Sequence, residues 1–211
     1  MNIENKEFVY IVDDDEAVRD SLRWLLEGNG FFVKSFESAE KLLEIANVHS
    51  SDLRGCLILD VRMPGITGIE LHDELLSLGI NLPIIFITGH GSVSLAVRSM
   101  KKGAIDFLEK PFNDKQLCSL VTNALKKSKE EKFENESNSK SKALLDKLTP
   151  RETQVLERIV AGRLNKQIAD DLAISIKTVE AHRANIMSKV EARTIADLIK
   201  TALSANMNIS K

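Results

Sequence analysis

The sequence predicts an α/β domain with a five-stranded parallel sheet, followed by a small all-α domain of four helices. Three observations carry this prediction. Five short apolar runs in the first 125 residues are each followed by an amphipathic stretch. A strongly polar stretch then occupies residues 126–145, and the last third contains four helical patterns with clear start signals. Strands that alternate with helices are typical of a parallel sheet covered on both faces.

The α/β half is built from short elements in strict alternation. The first strand is followed by a helix that the Gly28-Asn29-Gly30 segment ends, since these residue types tolerate positive φ. Further helices follow through KLLEIA, over IELHDELLSLG and SVSLAVRSMKKG, and from Asn113 onward. The predicted strands are FVYIVD (8–13), FFVKSF (31–36), GCLILDV (55–61), PIIFITG (83–89) and AIDFLEK (104–110).

The polar stretch 126–145 separates the two halves. It is rich in Lys, Glu, Ser and Asn and poor in apolar residues, so it has too little apolar surface for a core. We expect it to begin as a helix extension and to become a flexible linker around residues 134–142. The predicted domains are therefore 1–127 and 146–211, joined by a linker over 128–145.

The all-α half begins at Thr149-Pro150-Arg151-Glu152, which predicts a capping box with proline at the first helical position. That helix should end at Gly162. A second helix is predicted after Asn165, a third after Ser175 and a fourth over about 194–203. Four short helices in so few residues indicate a small helical bundle.

Composition restricts the class of protein. Hydrophobic residues make up 43% of the 211 residues, and the longest apolar runs are too short to cross a bilayer, so no membrane partner is expected. The N-terminus has no signal-peptide pattern. Cys56 and Cys118 are isolated, which favours a reducing compartment. A cytoplasmic location is the expectation.

Charge is divided unequally along the chain. Residues 1–125 hold 12 Lys and Arg against 19 Asp and Glu, whereas residues 146–211 hold 11 against 8. An acidic first part and a mildly basic last part indicate different partners. The basic excess is too small to establish nucleic-acid binding by itself.

Charged side chains lie at the carboxyl ends of three predicted strands. Asp13–Asp15 lie at the end of the first, Asp60 at the end of the third and Lys110 at the end of the fifth, while Thr88 lies at the end of the fourth. These strand ends meet at one edge of a parallel sheet, where oxygen ligands suit Mg²⁺ and a neighbouring lysine suits phosphoryl chemistry. Aspartates after strands are also common helix caps, but that alternative does not account for Asp60 and Lys110.

The segments IVDDDEAVR, LILDVRMPGITGIEL, IFITGHG and AIDFLEKPF together resemble the receiver domains of bacterial two-component response regulators over residues 7–128. The resemblance implies a flavodoxin-like fold with Asp60 as phosphoacceptor. It also implies a Mg²⁺ site, with Asp14 as the direct ligand of the acidic pair and Asp15 as a helix-start residue. Lys110 should contact the phosphoryl group, and the bond to Pro111 should be cis. The implied metal ligands are Asp13, Asp14, Asp60 and the backbone carbonyl of Arg62.

The same resemblance implies a conformational switch. Phosphorylation adds negative oxygens that Thr88 and Lys110 should contact. Phe107 should then move into the space above the fourth strand and change the adjoining surface. The family more often has tyrosine at this position, and ordinary core packing is the alternative role for Phe107.

The third helix of the all-α half has two distinct faces. Helical geometry predicts that Val179, Ile186 and Val190 are buried. The opposite face is small and polar, as insertion into a DNA major groove requires, although a solvated helix gives the same pattern. This outward face comprises Lys177, Glu180, Ala181, Ala184, Asn185 and Ser188.

The wider segment, from LTPRE through NKQIA to TVEAHR, resembles the LuxR-type helix-turn-helix domain of NarL/FixJ response regulators over residues 145–205. The resemblance implies a recognition helix over 178–189. Base contacts are expected from Glu180, Ala181, Ala184 and Asn185. Phosphate contacts are expected from Lys166, Lys177, Thr178 and Arg183.

The combined prediction is a response regulator that is not an enzyme. A sensor histidine kinase should phosphorylate Asp60, after which the chain should dimerise and bind operator DNA. One alternative is a Mg²⁺-dependent aspartate-nucleophile phosphatase, which usually has a second carboxylate where this chain has Arg62. The other is a helical domain that binds a partner protein. Neither alternative explains both halves of the chain.

Overall fold

The computed structural model describes residues 6–48, 53–89 and 93–205, and the side chains of 93–95 are left out of the description. The His90-Gly91 end of the IFITGHG motif lies outside these residues. The chain divides into two compact units, Met1–Glu131 and Lys132–Lys211.

The first unit contains a five-stranded parallel sheet, as predicted. Its spatial order is β2-β1-β3-β4-β5, the arrangement of flavodoxin-like domains. β1 and β3 lie at the centre and are almost entirely buried, which explains their continuous apolar sequences. The strands are β1 (Phe8–Val12), β2 (Phe32–Phe36), β3 (Gly55–Asp60), β4 (Ile84–Thr88) and β5 (Asp106–Glu109).

Helices cover both faces of the sheet. They are α1 (Glu16–Gly28), α2 (Ala39–Val48), α3 (Gly68–Ser77), α4 (Val93–Lys101) and α5 (Asp114–Leu145). Residues of α1 and α5, such as Leu26 and Val121, share one core with β1, β3 and β4. Residues of α2 and α3, such as Leu42 and Leu71, share the other. Alternate strand residues supply the two cores, as the two-residue period of a strand requires.

Local sequence signals fix where several of these helices begin and end. The side chain of Asp15 accepts hydrogen bonds from the N–H groups of Ala17 and Val18, which confirms that Asp15 is the N-cap of α1. Gly30 follows that helix with a φ of 86°, a conformation that favours glycine. The Lys110–Pro111 peptide bond is cis, also as predicted.

The segment expected to be flexible is helical. α5 continues without a break through residues 134–142 to Leu145. No glycine or proline interrupts it, and Lys and Glu are good helix formers. Three pairs of opposite charge one turn apart add support, namely Lys126 with Glu130, Lys127 with Glu131 and Lys132 with Glu136. The prediction of a flexible linker failed because low apolar content excludes a core but does not exclude a solvated helix.

The second unit contains the predicted helical bundle. The helices after α5 are α6 (Pro150–Val160), α7 (Asn165–Leu172), α8 (Ile176–Lys189) and α9 (Ile195–Ser204). The capping box formed by Thr149 and Glu152 is present, with Pro150 in the first turn of α6. α6 ends two residues before Gly162, whose φ of 77° turns the chain away from the helix. The apolar faces of α6, α7, α8 and α9 enclose one core.

Candidate functional site

The order of the strands brings the predicted receiver residues to one edge of the sheet. β3 lies between β1 and β4, so Asp60 at its end is flanked by Asp13 after β1 and Thr88 at the end of β4. Lys110 directly follows β5. Asp13, Asp60 and Thr88 are 3%, 7% and 1% exposed. The structure therefore gathers polar groups in a largely buried position, where polar groups are normally paired.

Lys110 joins the two carboxylates. Its Nζ donates to Asp13 Oδ2 at 2.8 Å and to Asp60 Oδ1 at 3.1 Å. The other oxygen of Asp60, Oδ2, accepts a hydrogen bond of 2.6 Å from the Arg62 N–H. Oδ1 of Asp13 accepts from the Asp15 N–H at 3.0 Å. Each carboxylate is thus held in a fixed orientation by one backbone donor and one shared cation.

Burial and charge act in opposite directions on these groups. Burial raises the pKa of the Asp60 carboxyl above its usual value, and the hydrogen bonds from Arg62 and Lys110 only partly oppose it. Burial by itself would lower the pKa of Lys110, but the hydrogen bonds and charges of Asp13 and Asp60 outweigh it and raise that pKa. Lys110 therefore stays a cation between two acidic groups.

The donor set agrees with a magnesium site of few protein ligands. Asp13 and Asp60 provide two neighbouring carboxylates, Asp14 is exposed beside them, and the Arg62 backbone lies two residues after Asp60, to which its N–H donates. Over the described ranges, no group of three or more His, Cys, Asp and Glu side chains forms a ready-made metal cluster. Mg²⁺ does not need one, since it typically takes one or two carboxylates and completes its octahedron with water and phosphate oxygens.

Phe107 combines core packing with an outward position. It pairs with Phe86 across β4 and β5, and the two ring centroids are 6.4 Å apart. Phe86 is fully buried, whereas Phe107 is half-buried on an edge strand. Phe107 thus contacts the core on one side and lies close to the surface on the other.

The two faces of α8 agree with the helical-wheel prediction. Val179 and Ile186 are fully buried and Val190 is 2% exposed. Thr178 and Arg183 are half-buried at the boundary between the faces. The remaining predicted contacts are exposed, and these are Lys166 on α7 and Lys177, Glu180, Ala181, Ala184 and Asn185 on α8.

Comparison with known proteins establishes the family. A profile described as "Response regulator receiver domain" matches residues 9–122, and one described as "Bacterial regulatory proteins, luxR family" matches residues 146–202. The transcriptional regulatory protein FixJ of Azorhizobium caulinodans is 46% identical over 199 residues, covering 94% of this chain and 93% of its own. The chain belongs to the NarL/FixJ family of response regulators.

Solved structures of response regulators are similar to this chain over most of its length. The response regulator StyR is 42% identical, with a TM-score of 0.80 and coverage of 94% of this chain and 98% of its own. Full-length FixJ from B. japonicum is 41% identical, with a TM-score of 0.58 and coverage of 96% and 98%.

This response regulator is a two-component transcription regulator with a receiver domain and a LuxR-type DNA-binding domain. Its relatives are transcriptional regulators rather than enzymes, so the phosphatase alternative is not retained. The alternative of a purely protein-binding helical domain is likewise not retained. Among the residues that the structure describes, no helix has both the length and the apolar character needed to cross a membrane.

Sequence reasoning missed three contacts that support these sites. Arg19 Nη1 donates to the backbone carbonyl of Asp13 at 2.8 Å. The Ile66 N–H donates to Glu40 Oε1 at 3.1 Å, and Lys189 Nζ donates to Glu152 Oε2 at 2.7 Å. The position of Arg19 one turn after the Asp15 cap offered a weak signal. The other two pairs join residues far apart in the sequence, where no local pattern indicates a partner.

Proposed function

We propose that Asp60 accepts a phosphoryl group from a sensor histidine kinase, and that phosphorylation promotes dimerisation and sequence-specific operator binding. The observation that carries this proposal is the position of Lys110 Nζ between Asp13 Oδ2 and Asp60 Oδ1. A fixed cation beside a buried carboxylate offsets the charge of transferring phosphoryl oxygens.

Asp60 is the better nucleophile of the two buried carboxylates. It ends β3 at the centre of the sheet, and its Oδ1 faces the ammonium group that would meet the phosphoryl oxygens. An Asp60 oxygen forms the new P–O bond while the P–N bond to the kinase histidine breaks. The imidazole nitrogen keeps the electron pair of that bond and takes up a proton. The products are an aspartyl phosphate and a neutral histidine.

The chain's own residues support a magnesium ion at this edge. Asp13, Asp14, Asp60 and the Arg62 backbone carbonyl would hold it. When bound, the ion neutralises charge on the carboxylates and on the phosphoryl group. Lys110 orients both carboxylates through its hydrogen bonds to Asp13 Oδ2 and Asp60 Oδ1.

Thr88 and Lys110 would sense the added phosphoryl group. Thr88 is buried at the end of β4 next to β3, so its hydroxyl lies at the same edge as Asp60. A shift of Thr88 toward the phosphoryl oxygens leaves room above β4, and Phe107 on β5 occupies that room. Because Phe107 is half-buried on the edge strand, its movement changes the surface formed by α4 and β5. We infer that this surface controls self-association.

The exposed face of α8 is the proposed recognition surface. Ala181 and Ala184 allow close approach to base edges and to the thymine methyl group, and Glu180 and Asn185 offer an acceptor for cytosine and a bidentate partner for adenine. Phosphate contacts from Lys166, Lys177, Thr178 and Arg183 would set affinity and register. Two copies would dock on half-sites about 10 bp apart. Free Cys56 and Cys118 agree with a cytoplasmic location.

Labelling with acetyl phosphate tests the phosphoacceptor. The wild-type chain should incorporate phosphate in a Mg²⁺-dependent manner and shift toward dimers in analytical ultracentrifugation. Asp60→Asn should show neither effect, while Asp20→Asn, at an exposed site on α1, should behave as the wild type. Persistent labelling of Asp60→Asn would show that another residue is the nucleophile.

A further inference from the structure

The loop that follows Asp60 controls the geometry of the acidic edge. It begins at Val61, and its second residue, Arg62, donates its N–H to Asp60 Oδ2 at 2.6 Å. The carbonyl of the same residue is a proposed metal ligand. Any displacement of this backbone therefore moves the Asp60 carboxylate and the carbonyl oxygen together.

Contacts within the loop fix only its two ends. Gly68 N–H donates to the Val61 carbonyl at 3.1 Å, and a Cβ at Gly68 would lie 2.1 Å from the Asp60 carbonyl oxygen. Thr67 caps α3 in a capping box with Glu70. These contacts close the loop onto its own neighbours. In the middle of the loop, Met63 is buried in the core that α2 and α3 share, and Ile66 packs against the same core.

Glu40 adds a hydrogen bond that holds the backbone in the middle of the loop. It lies in the first turn of α2, and its Oε1 accepts a hydrogen bond of 3.1 Å from the Ile66 N–H, 26 residues away. Gly65 has a φ of 74°, and a Cβ built there would lie 2.6 Å from the same oxygen. The Glu40 carboxylate therefore occupies the space that a side chain at residue 65 would need, in direct contact with the loop backbone.

The surroundings of Glu40 favour its ionised form. Hydrogen bonds from the Ser38 side chain and from the backbone N–H groups of Glu40 and Ile66 lower its pKa. The first turn of a helix also favours an acidic side chain. Glu40 is thus held as an acceptor, with its orientation fixed by Ser38 just before α2, by its own backbone N–H and by the Ile66 N–H of the loop.

We propose that Glu40 is a positioning residue that holds the loop 61–67 in the conformation in which Asp60 and the Arg62 carbonyl bind metal and Asp60 accepts phosphate. This inference depends on the proposed function of Asp60. It assigns no direct contact with metal or phosphate to Glu40, which acts through the Ile66 amide and the Gly65 backbone.

The test compares Glu40→Ala and Glu40→Gln in the full-length chain, with Glu44→Ala as the matched control. Glu44 lies one turn further along α2, is exposed and pairs with Lys41. Titration calorimetry measures the affinity for Mg²⁺ alone, and acetyl phosphate labelling measures the phosphorylation rate. Hydrogen exchange of the Ile66 amide reports the hydrogen bond itself.

Glu40→Ala should weaken Mg²⁺ binding and slow phosphorylation by about tenfold, the lower end of the effect of losing a residue that orients a metal ligand. The Ile66 amide should also lose its protection. Glu40→Gln keeps an oxygen that accepts from Ile66, so it should stay within about threefold of the wild type. Glu44→Ala should match the wild type in all three measurements.

Two results would overturn the inference. One is a Glu40→Ala chain whose Mg²⁺ affinity and phosphorylation rate equal those of the wild type, whatever its thermal stability. The other is a Glu40→Gln chain as impaired as Glu40→Ala. Failure of the proposed function can be told apart from failure of this inference, because in that case the wild-type chain itself would take up no phosphate from acetyl phosphate. If Glu40→Ala does not fold, the contrast between Glu40→Gln and Glu40→Asp decides. The shorter Asp side chain should lose the hydrogen bond to the Ile66 amide and weaken Mg²⁺ binding, so equal Mg²⁺ affinity in the two variants would also overturn the inference.

Discussion

Lys189 Nζ donates to Glu152 Oε2 across 2.7 Å, and this contact joins the last turn of α8 to the first turn of α6. The same oxygen accepts from the Thr149 N–H at 2.8 Å and from the Thr149 hydroxyl at 2.9 Å. One buried carboxylate oxygen therefore caps α6 and also fixes the end of the proposed recognition helix.

Removal of this carboxylate should destabilise the helical domain. Glu152→Ala loses one half of the α6 capping box and leaves Lys189 without its partner, so the free energy of unfolding of this domain should fall by about 1–3 kcal/mol. Hydrogen exchange of the α6 and α8 amides in the full-length chain measures the loss. Glu157→Ala, at an exposed position on the same helix, should change it little. Equal protection in both variants would mean that the contact does not stabilise the domain.

Acid should remove the same stabilisation. The hydrogen bonds from Lys189 and from the Thr149 backbone lower the pKa of Glu152 from 4.5 to about 2. A group whose pKa is lower in the folded state stabilises fully above its unfolded value, and this contribution is lost as the pH falls from about 4.5 toward 2. Exchange measured between pH 5 and 3 should show falling stability in the wild type and a smaller fall in Glu152→Gln. If the stability of the wild type and of Glu152→Gln fell equally with pH, Glu152 would not be the group responsible.

Ala173 offers a stabilising substitution. It caps α7 with a φ of 51°, the left-handed conformation, just before the recognition helix. This conformation costs an L-residue about 1–2 kcal/mol and costs glycine little, so Ala173→Gly should raise the free energy of unfolding by about 1 kcal/mol. Ala143→Gly, at an exposed position in the last turn of α5, should lower stability instead. Thermal and urea denaturation should show that the free energy of unfolding rises in Ala173→Gly and falls in Ala143→Gly.

Substitutions on α8 should separate affinity from specificity. Lys177→Ala should weaken binding to all DNA sequences and reduce the salt slope by about one unit, since a lost phosphate contact releases one counterion fewer. Ala181→Arg should change the preferred sequence instead, because the position faces the base edges in the proposed complex. Selection from a random DNA pool and fluorescence anisotropy at several salt concentrations measure both effects. If neither variant alters binding, α8 is not the recognition helix.

The helical segment of α5 between the two family domains should be sensitive to proline. Its Lys-to-Glu pairs are exposed and run in the less favourable direction, so each contributes only about 0.2–0.5 kcal/mol. Asn138→Pro should therefore reduce far-UV helical ellipticity while both domain cores remain folded. Asn138→Ala is the control and should increase ellipticity slightly. Loss of cooperative unfolding in either domain would show that the segment also supports a core.

Much of the fold follows from short-range patterns in the sequence. Five apolar runs gave the five strands, and the capping residues Asp15 and Thr149 gave the helix starts, because a cap needs only backbone groups two or three residues away. The buried face of α8 followed from helical periodicity alone. The helical state of residues 134–142 did not follow from the sequence patterns that we used. The polar composition of this segment shows that it cannot form a core, but it does not show whether its backbone is helical.

The sequence by itself determined which residues stand at the strand ends, and hence that Asp13, Asp60, Thr88 and Lys110 share one edge of a parallel sheet. Only the tertiary structure decided which atoms meet there, with one ammonium group between two particular carboxylate oxygens. It also decided that Glu40 holds the loop after Asp60 and that Lys189 reaches Glu152. The physical reason is that such contacts depend on side-chain directions set by the packing of elements distant in the sequence, and no local pattern encodes them.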